Sequence, residues 1–93
     1  MVYIVAYDLK SPNDTESDYQ RVMNAVKSYG TTWCHLEKSV WLIVSESSAS
    51  EIRDGLRKSL FSTDIIFVAK LAGNWASISL GTERVDWLHK QAF

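Results

Sequence analysis

Three segments of this sequence are apolar at every position rather than at alternate positions. They are Val2–Tyr7, the Val40–Val44 centre of the run Ser39–Ser45, and the Ile65–Ala69 centre of the run Asp64–Leu71. A strand with one face in water carries a polar side chain at every second position, so these runs predict strands that are buried on both faces. The sheet of this chain is therefore predicted to be covered on both sides.

Two helices are predicted between these strands. The first spans residues 17–29, with an apolar stripe of Tyr19, Val22 and Val26, and Gly30 follows it at the position of a left-handed C-terminal cap. The second begins near Ser48, because Ser48 and Glu51 have the spacing of a capping box. One more strand is predicted at residues 31–36, the second along the chain. It is mixed in polarity and is predicted to lie at an edge of the sheet.

The resulting order, β-α-β-β-α-β, predicts an α/β (α+β) fold of the ferredoxin-like class, with both helices on one face of the sheet. The opposite face then needs a cover. A second copy of the chain in a two-fold homodimer is the first expectation, and a folded-back C-terminal tail is the alternative. The tail is predicted to add an extra strand at residues 76–80 and a short helix at 83–91. No linker interrupts the sequence, so residues 1–93 are predicted to form a single domain.

Charge and cysteine content narrow the classes of function. The net charge is -1, so the chain lacks the basic surplus of a dedicated duplex binder, and nucleic-acid binding would need a local patch. The single cysteine, Cys34, excludes an intrachain disulfide and suits a reducing compartment. The N-terminal apolar run follows no basic segment and meets Asp8 early. These features predict a cytoplasmic protein with no membrane segment.

Asp8 is the first candidate for catalysis and for metal binding. It ends a buried strand, where a carboxylate at the rim of the sheet can hold Mg²⁺ together with water and phosphate oxygens. One carboxylate is a poor site, but Asp8 and its mate in a two-fold dimer would be able to share an ion. The alternative is that Asp8 only starts the following turn, as aspartate often does.

His35 is the second candidate for catalysis. In a regular strand Trp33, His35 and Glu37 share a face, so Glu37 would fix the tautomer of a His35 general base. A structural histidine at a half-exposed edge explains the same pattern. Cys34 has the opposite parity and is interpreted as a small buried apolar residue rather than a nucleophile.

Other side chains suggest weaker hypotheses. Trp41 lies in a central strand, which favours the core or an interface over a platform for unpaired bases. Arg53 and Arg57 lie one helical turn apart and would contact phosphate, but nearby acidic residues favour a solvated face of mixed charge. There is no P-loop, no Cys-x-x-Cys pair and no nucleophile elbow in the sequence.

Residues 1–80 resemble a known family. The run Val5-Ala6-Tyr7-Asp8, the helix end Ser28-Tyr29-Gly30 and the run Ser39-Val40-Trp41 look like the small CRISPR-associated spacer-acquisition subunit and the related virulence-associated D ribonucleases. The resemblance implies a ferredoxin-like homodimer with two aspartates at the ends of its first strands, here Asp8. Some members are Mg²⁺-dependent nucleases of RNA or DNA, and others are non-catalytic scaffolds on duplex DNA. The arginines usual after the aspartate are replaced here by an acidic segment, residues 10–18.

Two functions are expected on these grounds. The first is a divergent, metal-dependent, nuclease-like homodimer that cleaves or binds nucleic acid, with paired Asp8 carboxylates and His35 as a proton carrier. The second is a non-catalytic dimeric interaction module that binds a protein, a nucleotide or a nucleic acid.

Overall fold

The computed structural model describes residues 1–10 and 16–93, so residues 11–15 of the acidic segment that follows Asp8 lie outside the described residues. The described elements are, in chain order, strand β1 (Val2–Asp8), helix α1 (Glu16–Tyr29), strand β2 (Thr32–Glu37), strand β3 (Val40–Val44), helix α2 (Ala49–Leu56), a short 3-10 helix (Arg57–Ser59), strand β4 (Ile65–Lys70) and helix α3 (Thr82–His89). The four strands and two helices predicted from the sequence before residue 72 are confirmed, and their ends agree within a few residues.

The four strands form one antiparallel sheet in the order β2-β3-β1-β4. Strands β1 and β3 are therefore central, and β2 and β4 are the two edges. The sheet with its three helices is a small α+β arrangement, which confirms the coarse fold class. No helix among residues 1–10 and 16–93 combines the length and the apolar character needed to cross a membrane.

Helices α1 and α2 cover one face of the sheet, called here the helix face. Its buried core consists of Tyr3, Val5, Tyr7, Leu9, Val22, Val26, Trp41, Ile43, Ile52 and Leu56. The start of α2 is fixed by the predicted capping box. The backbone N–H of Glu51 donates to Ser48 Oγ at 3.1 Å, and the backbone N–H of Ser48 donates to Glu51 Oε1 at 3.0 Å.

Helix α2 approaches the end of α1 through a glycine. A Cβ atom placed on Gly55 would lie 1.3 Å from the hydroxyl oxygen of Tyr29. With Tyr29 in this position there is no space for a Cβ atom, so glycine fits here although it weakens a helix by about 1 kcal/mol relative to alanine.

The opposite face, called here the open face, is covered over part of its area by the C-terminal tail. Leu88 of α3 is buried in a second cluster with Val2, Cys34 and Leu42. The indole Nε1–H of Trp87 also donates to Thr32 Oγ1 at 3.0 Å, which holds α3 beside β2. The folded-back tail, expected as the alternative to a second copy, thus covers this part of the face within one chain.

The predicted fifth strand is wrong, whereas the short terminal helix is confirmed. Residues 76–80 form no strand in the described chain. Ile78 is 93% exposed, so the apolar alternation that suggested a strand has no buried face here. The backbone also turns at this point, because Ser79 has a φ of 61° and Gly81 a φ of 96°. Such left-handed angles interrupt an extended strand.

Strand β4 is not buried on both faces within one chain, contrary to the prediction from its apolar run. Phe67 pairs with Ala6 and Ile65 pairs with Asp8 across the sheet, and both β4 side chains lie on the open face beyond the tail. Phe67 is 62% exposed and Ile65 is 55% exposed. One end of the open face is therefore an uncovered apolar surface.

Candidate functional site

Asp8 lies at the end of β1, at the uncovered end of the open face. Its carboxylate is exposed and forms an ion pair with Lys10, in which Nζ lies 2.9 Å from Oδ2. The hydrogen bond from Lys10 to Asp8, with the attraction between their charges, raises the pKa of Lys10 above its ordinary value. The Asp8 carboxylate is therefore accessible to solvent, but the ammonium group of Lys10 already provides a positive charge beside it.

Asp64 directly precedes Ile65, the residue of β4 that pairs with Asp8. Its Oδ1 accepts the backbone N–H of Lys10 at 2.7 Å, and its Oδ2 accepts the backbone N–H of Phe61 at 2.8 Å. Both oxygens of this carboxylate thus accept backbone hydrogen bonds. Through the bond from Lys10, Asp64 connects the start of β4 to the end of β1. Among residues 1–10 and 16–93, no three or more histidine, cysteine or acidic side chains come together as metal ligands. Asp8 offers Mg²⁺ one carboxylate per chain.

His35 does not share a face with Glu37. The pairing of β2 with β3 is irregular between these residues, so that His35 pairs with Trp41 and Glu37 pairs with Val40. This bulge moves Glu37 to the opposite face of the sheet. The ring Nε2 of His35 lies 3.4 Å from the carbonyl oxygen of Lys38. The predicted role of Glu37 in fixing the His35 tautomer is therefore wrong.

His35 belongs instead to a stack of aromatic rings on the helix face. Its imidazole lies parallel to the Trp41 indole, with ring centres 3.8 Å apart and planes 7° apart. The Trp33 and Trp41 rings pack edge to face with centres 5.2 Å apart, and the Lys27 ammonium lies 4.7 Å from the centre of the Trp33 ring. The stack runs from the buried Trp41 to Trp33, which is 42% exposed.

Trp41 is held in the core by a hydrogen bond. Its indole Nε1–H donates to the Tyr7 hydroxyl at 3.0 Å. Burial is the main cause that raises the pKa of Tyr7 above its ordinary value, and the bond from Trp41 opposes this only in part. Trp41 is 1% exposed, which confirms that it is a core residue rather than a base-stacking platform.

Asp8 and His35 lie on opposite faces of the sheet. His35 pairs with Trp41, and Trp41 pairs with Val5, so all three side chains lie on the helix face. Asp8 pairs with Ile65 and belongs to the open face. The two residues predicted for one reaction are thus not brought together within a chain.

The remaining candidates from the sequence, Cys34, Arg53 and Arg57, have surroundings that favour structural rather than catalytic roles. Cys34 is buried, and burial raises the pKa of its thiol, which disfavours the nucleophilic thiolate. Arg53 and Arg57 lie 3.0 Å and 3.7 Å from the carboxylate of Asp54, with all three side chains exposed. This is the solvated face of mixed charge that the sequence favours.

The edge strand β4 exposes both apolar side chains and backbone groups. The Tyr7 N–H donates to the Ser39 carbonyl, and the Ser45 N–H donates to the Met1 carbonyl. The odd-numbered residues of β1 therefore direct their backbone groups towards β3. The remaining β1 residues then face β4, and Ile66 and Val68 turn their N–H and C=O groups outward. Phe61, which precedes the strand, is 52% exposed beside them.

Helix α3 covers part of the edge strand β2. The guanidinium of Arg84 donates from Nε to the His35 carbonyl at 2.8 Å and from Nη1 to the Leu80 carbonyl at 2.9 Å. The bond from Arg84 to His35 has no signal in the sequence, because the two residues lie 49 positions apart. The exposure of Phe67 also has no signal in a run that is apolar throughout.

No known family model matches this chain.

Proposed function

We propose that this protein is an interaction module that acts as a homodimer, with its sheet and helices in the ferredoxin-like arrangement. The observation that carries the proposal is the edge strand β4, which leaves Ile65 and Phe67 exposed beside unpaired backbone groups. The element order and the strand order β2-β3-β1-β4 support the ferredoxin-like arrangement.

An unprotected apolar edge favours pairing with another strand. Proteins usually protect an edge with proline, with charges or with a covering segment. Among residues 1–10 and 16–93, none of these protects β4 from Ile65 to Ala69, whereas α3 covers part of β2. The difference between the two edges supports β4 as the surface that a partner strand occupies.

A second copy fits this edge by symmetry. If two β4 strands pair antiparallel about a two-fold axis at Phe67, Ile66 of each copy bonds Val68 of the other through the backbone groups that turn outward. The two Phe67 rings then face each other, and Ile65 faces Ala69. The pairing extends the sheet across both chains and buries the apolar end of the open face.

Sedimentation and light scattering test the proposal with a matched pair of variants. Phe67→Lys places a charge at the two-fold axis, and Ile78→Lys places the same charge on an exposed apolar residue of the tail. We expect the wild type and Ile78→Lys to be dimers, and Phe67→Lys to be a monomer with unchanged circular dichroism. A monomeric wild type at high concentration, or a dimeric Phe67→Lys, would contradict the proposal.

A metal-dependent nuclease is the second candidate, and the exposed carboxylate of Asp8 at the end of a central strand favours it. A bound Mg²⁺ would polarise a scissile phosphate and activate a water. With β4 paired to β4, however, the two Asp8 residues are three strand spacings apart, about 14 Å even before the offset along the strands. A shared ion would need two copies packed through their open faces instead.

A nuclease assay on labelled RNA and DNA tests this candidate. Asp8→Asn removes the charge at the rim, and Asp54→Asn removes an exposed carboxylate elsewhere. The nuclease hypothesis expects chelator-sensitive cleavage by the wild type and by Asp54→Asn, and none by Asp8→Asn. Equal cleavage by Asp8→Asn would exclude Asp8 from the reaction, and His35 would then be tested separately because it lies on the other face.

A further inference from the structure

A cleft lies between the edge of β2 and helix α3, on the side of the sheet away from β4. Its volume is about 630 Å³, and its walls include Trp33, His35, Arg84, Asp86, Trp87 and Lys90. This volume is within the range of small-ligand sites, which runs from roughly 300 to 1,000 Å³. No residue of β4 lines the cleft, so a ligand in it would bind the monomer and the proposed dimer alike.

The edge of β2 presents hydrogen-bonding backbone to this cleft. The odd-numbered residues of β3 direct their backbone N–H and C=O groups towards β1, so Leu42 and Val44 direct theirs towards β2. The bond from the Thr31 N–H to the Val44 carbonyl agrees with this. Cys34, which pairs with Leu42, therefore bonds within the sheet. Trp33 and His35 turn their N–H and C=O groups outward, and the bond from Arg84 to the His35 carbonyl agrees.

This arrangement sets an acceptor beside a donor. The Trp33 C=O and the His35 N–H are neighbours on this edge, next to the His35 carbonyl that Arg84 bonds, at the spacing that a paired strand would fill. The Watson–Crick edge of adenine offers the matching groups, an exocyclic amine that donates and a ring nitrogen that accepts. A planar base bonded in this way would lie approximately in the plane of the sheet.

Aromatic side chains flank that plane from both sides. Trp33 lies on the helix face, where the Lys27 ammonium and the Trp41 ring support it. Trp87 packs on the open face, and its bond to Thr32 fixes the indole. A ring held by the edge of β2 would thus lie between two indoles, the environment in which bases stack in single-strand binding proteins.

The charges around the cleft limit the ligand further. Arg84 and Lys90 are balanced by Glu83 and Asp86. The walls therefore carry no net surplus for a polyphosphate, and base contacts rather than phosphate contacts would supply the affinity. We propose that the cleft between β2 and α3 binds an adenine base, either of a free mononucleotide or of a single-stranded nucleic acid.

Amide NMR on the full chain tests the inference with three probes. Adenosine monophosphate supplies base and phosphate, a short oligodeoxyadenylate supplies the base within a strand, and ribose 5-phosphate supplies no base. We expect the first or the second to shift the His35 amide and the Trp33 indole N–H, and ribose 5-phosphate to leave them unchanged. Shifts with the mononucleotide alone identify a free nucleotide, and shifts with the oligomer alone identify a strand.

Two variants make the test specific. Trp33→Ala removes an exposed stacking surface and should weaken binding about tenfold. Trp75→Phe, a matched control on the tail, should bind as the wild type does. If neither base-containing probe shifts the His35 amide at millimolar concentration, or if ribose 5-phosphate shifts it equally, the inference is overturned. Unchanged affinity in Trp33→Ala with an unchanged melting temperature would overturn it as well.

Discussion

Replacing Gly55 by alanine sets two effects of opposite sign against each other. Helix propensity alone predicts that Gly55→Ala stabilises α2 by about 0.8–1.0 kcal/mol. The structure predicts the opposite sign, because the new Cβ would lie 1.3 Å from Tyr29 Oη and 2.1 Å from Cζ. The Tyr29 ring must therefore move before alanine can be accommodated.

The size of the effect depends on the packing that Tyr29 loses. Its ring is half-buried and packs against the core of the helix face. Forcing extra atoms into a packed region costs about 1–3 kcal/mol. Subtracting the gain in helix propensity leaves a net destabilisation of about 1 kcal/mol for Gly55→Ala.

A double-mutant cycle with Tyr29→Ala measures the coupling between the two residues. In urea denaturation followed by circular dichroism, Gly55→Ala should destabilise the wild type but stabilise the Tyr29→Ala variant by about 1 kcal/mol. If Gly55→Ala stabilised both backgrounds equally, the Tyr29 ring would be shown to leave its position at no cost. The proposed reason for glycine at this point in α2 would then be refuted.

Three further outcomes are expected. Tyr7→Phe should lower the free energy of unfolding by about 1–3 kcal/mol, because it leaves the buried Trp41 N–H without its acceptor. The double variant Tyr7→Phe/Trp41→Phe should then lose less stability than the two single variants lose together. A loss equal to or larger than that sum would refute this reasoning. Glu51→Gln should cost stability at neutral pH, because hydrogen bonds from Ser48 hold the pKa of the Glu51 carboxyl below its ordinary 4.5. A lowered pKa contributes stability above the ordinary value and loses it as the pH falls through the folded value, so wild type and variant should converge in acid denaturation series below about pH 4.5. Cys34 should react with a thiol reagent only at the rate of opening, since it is buried; rapid alkylation of the native chain would contradict that burial.

Features encoded within a few residues could be predicted from the sequence. The capping box of Ser48 and Glu51 and the stripe that includes Val22 and Val26 depend only on local spacing, and both form as expected. The strands β1 and β3 are also predicted correctly. Both lie in the centre of the sheet, where a strand on each side and the helices of the helix face bury most of an apolar run.

Features that depend on strand pairing could not be predicted in this way. The bulge between His35 and Glu37 places these residues on different faces, and only the register with β3 reveals it. The alternation of Ala76, Ile78 and Leu80 suggests a strand, but these residues pair with none of the four strands described. For the same reason the sequence suggests Asp8 and His35 for one reaction, although the pairing of β1, β3 and β4 assigns them to opposite faces.

The coverage of the open face by the tail also bears on how the chain is made. Synthesis proceeds from the N-terminus, so the strands that carry Val2 and Leu42 are complete before Leu88 has been added. Until α3 docks, the chain can bury its helix face while its other face is still apolar and bare. During this stage, aggregation or capture by a chaperone competes with the docking of α3.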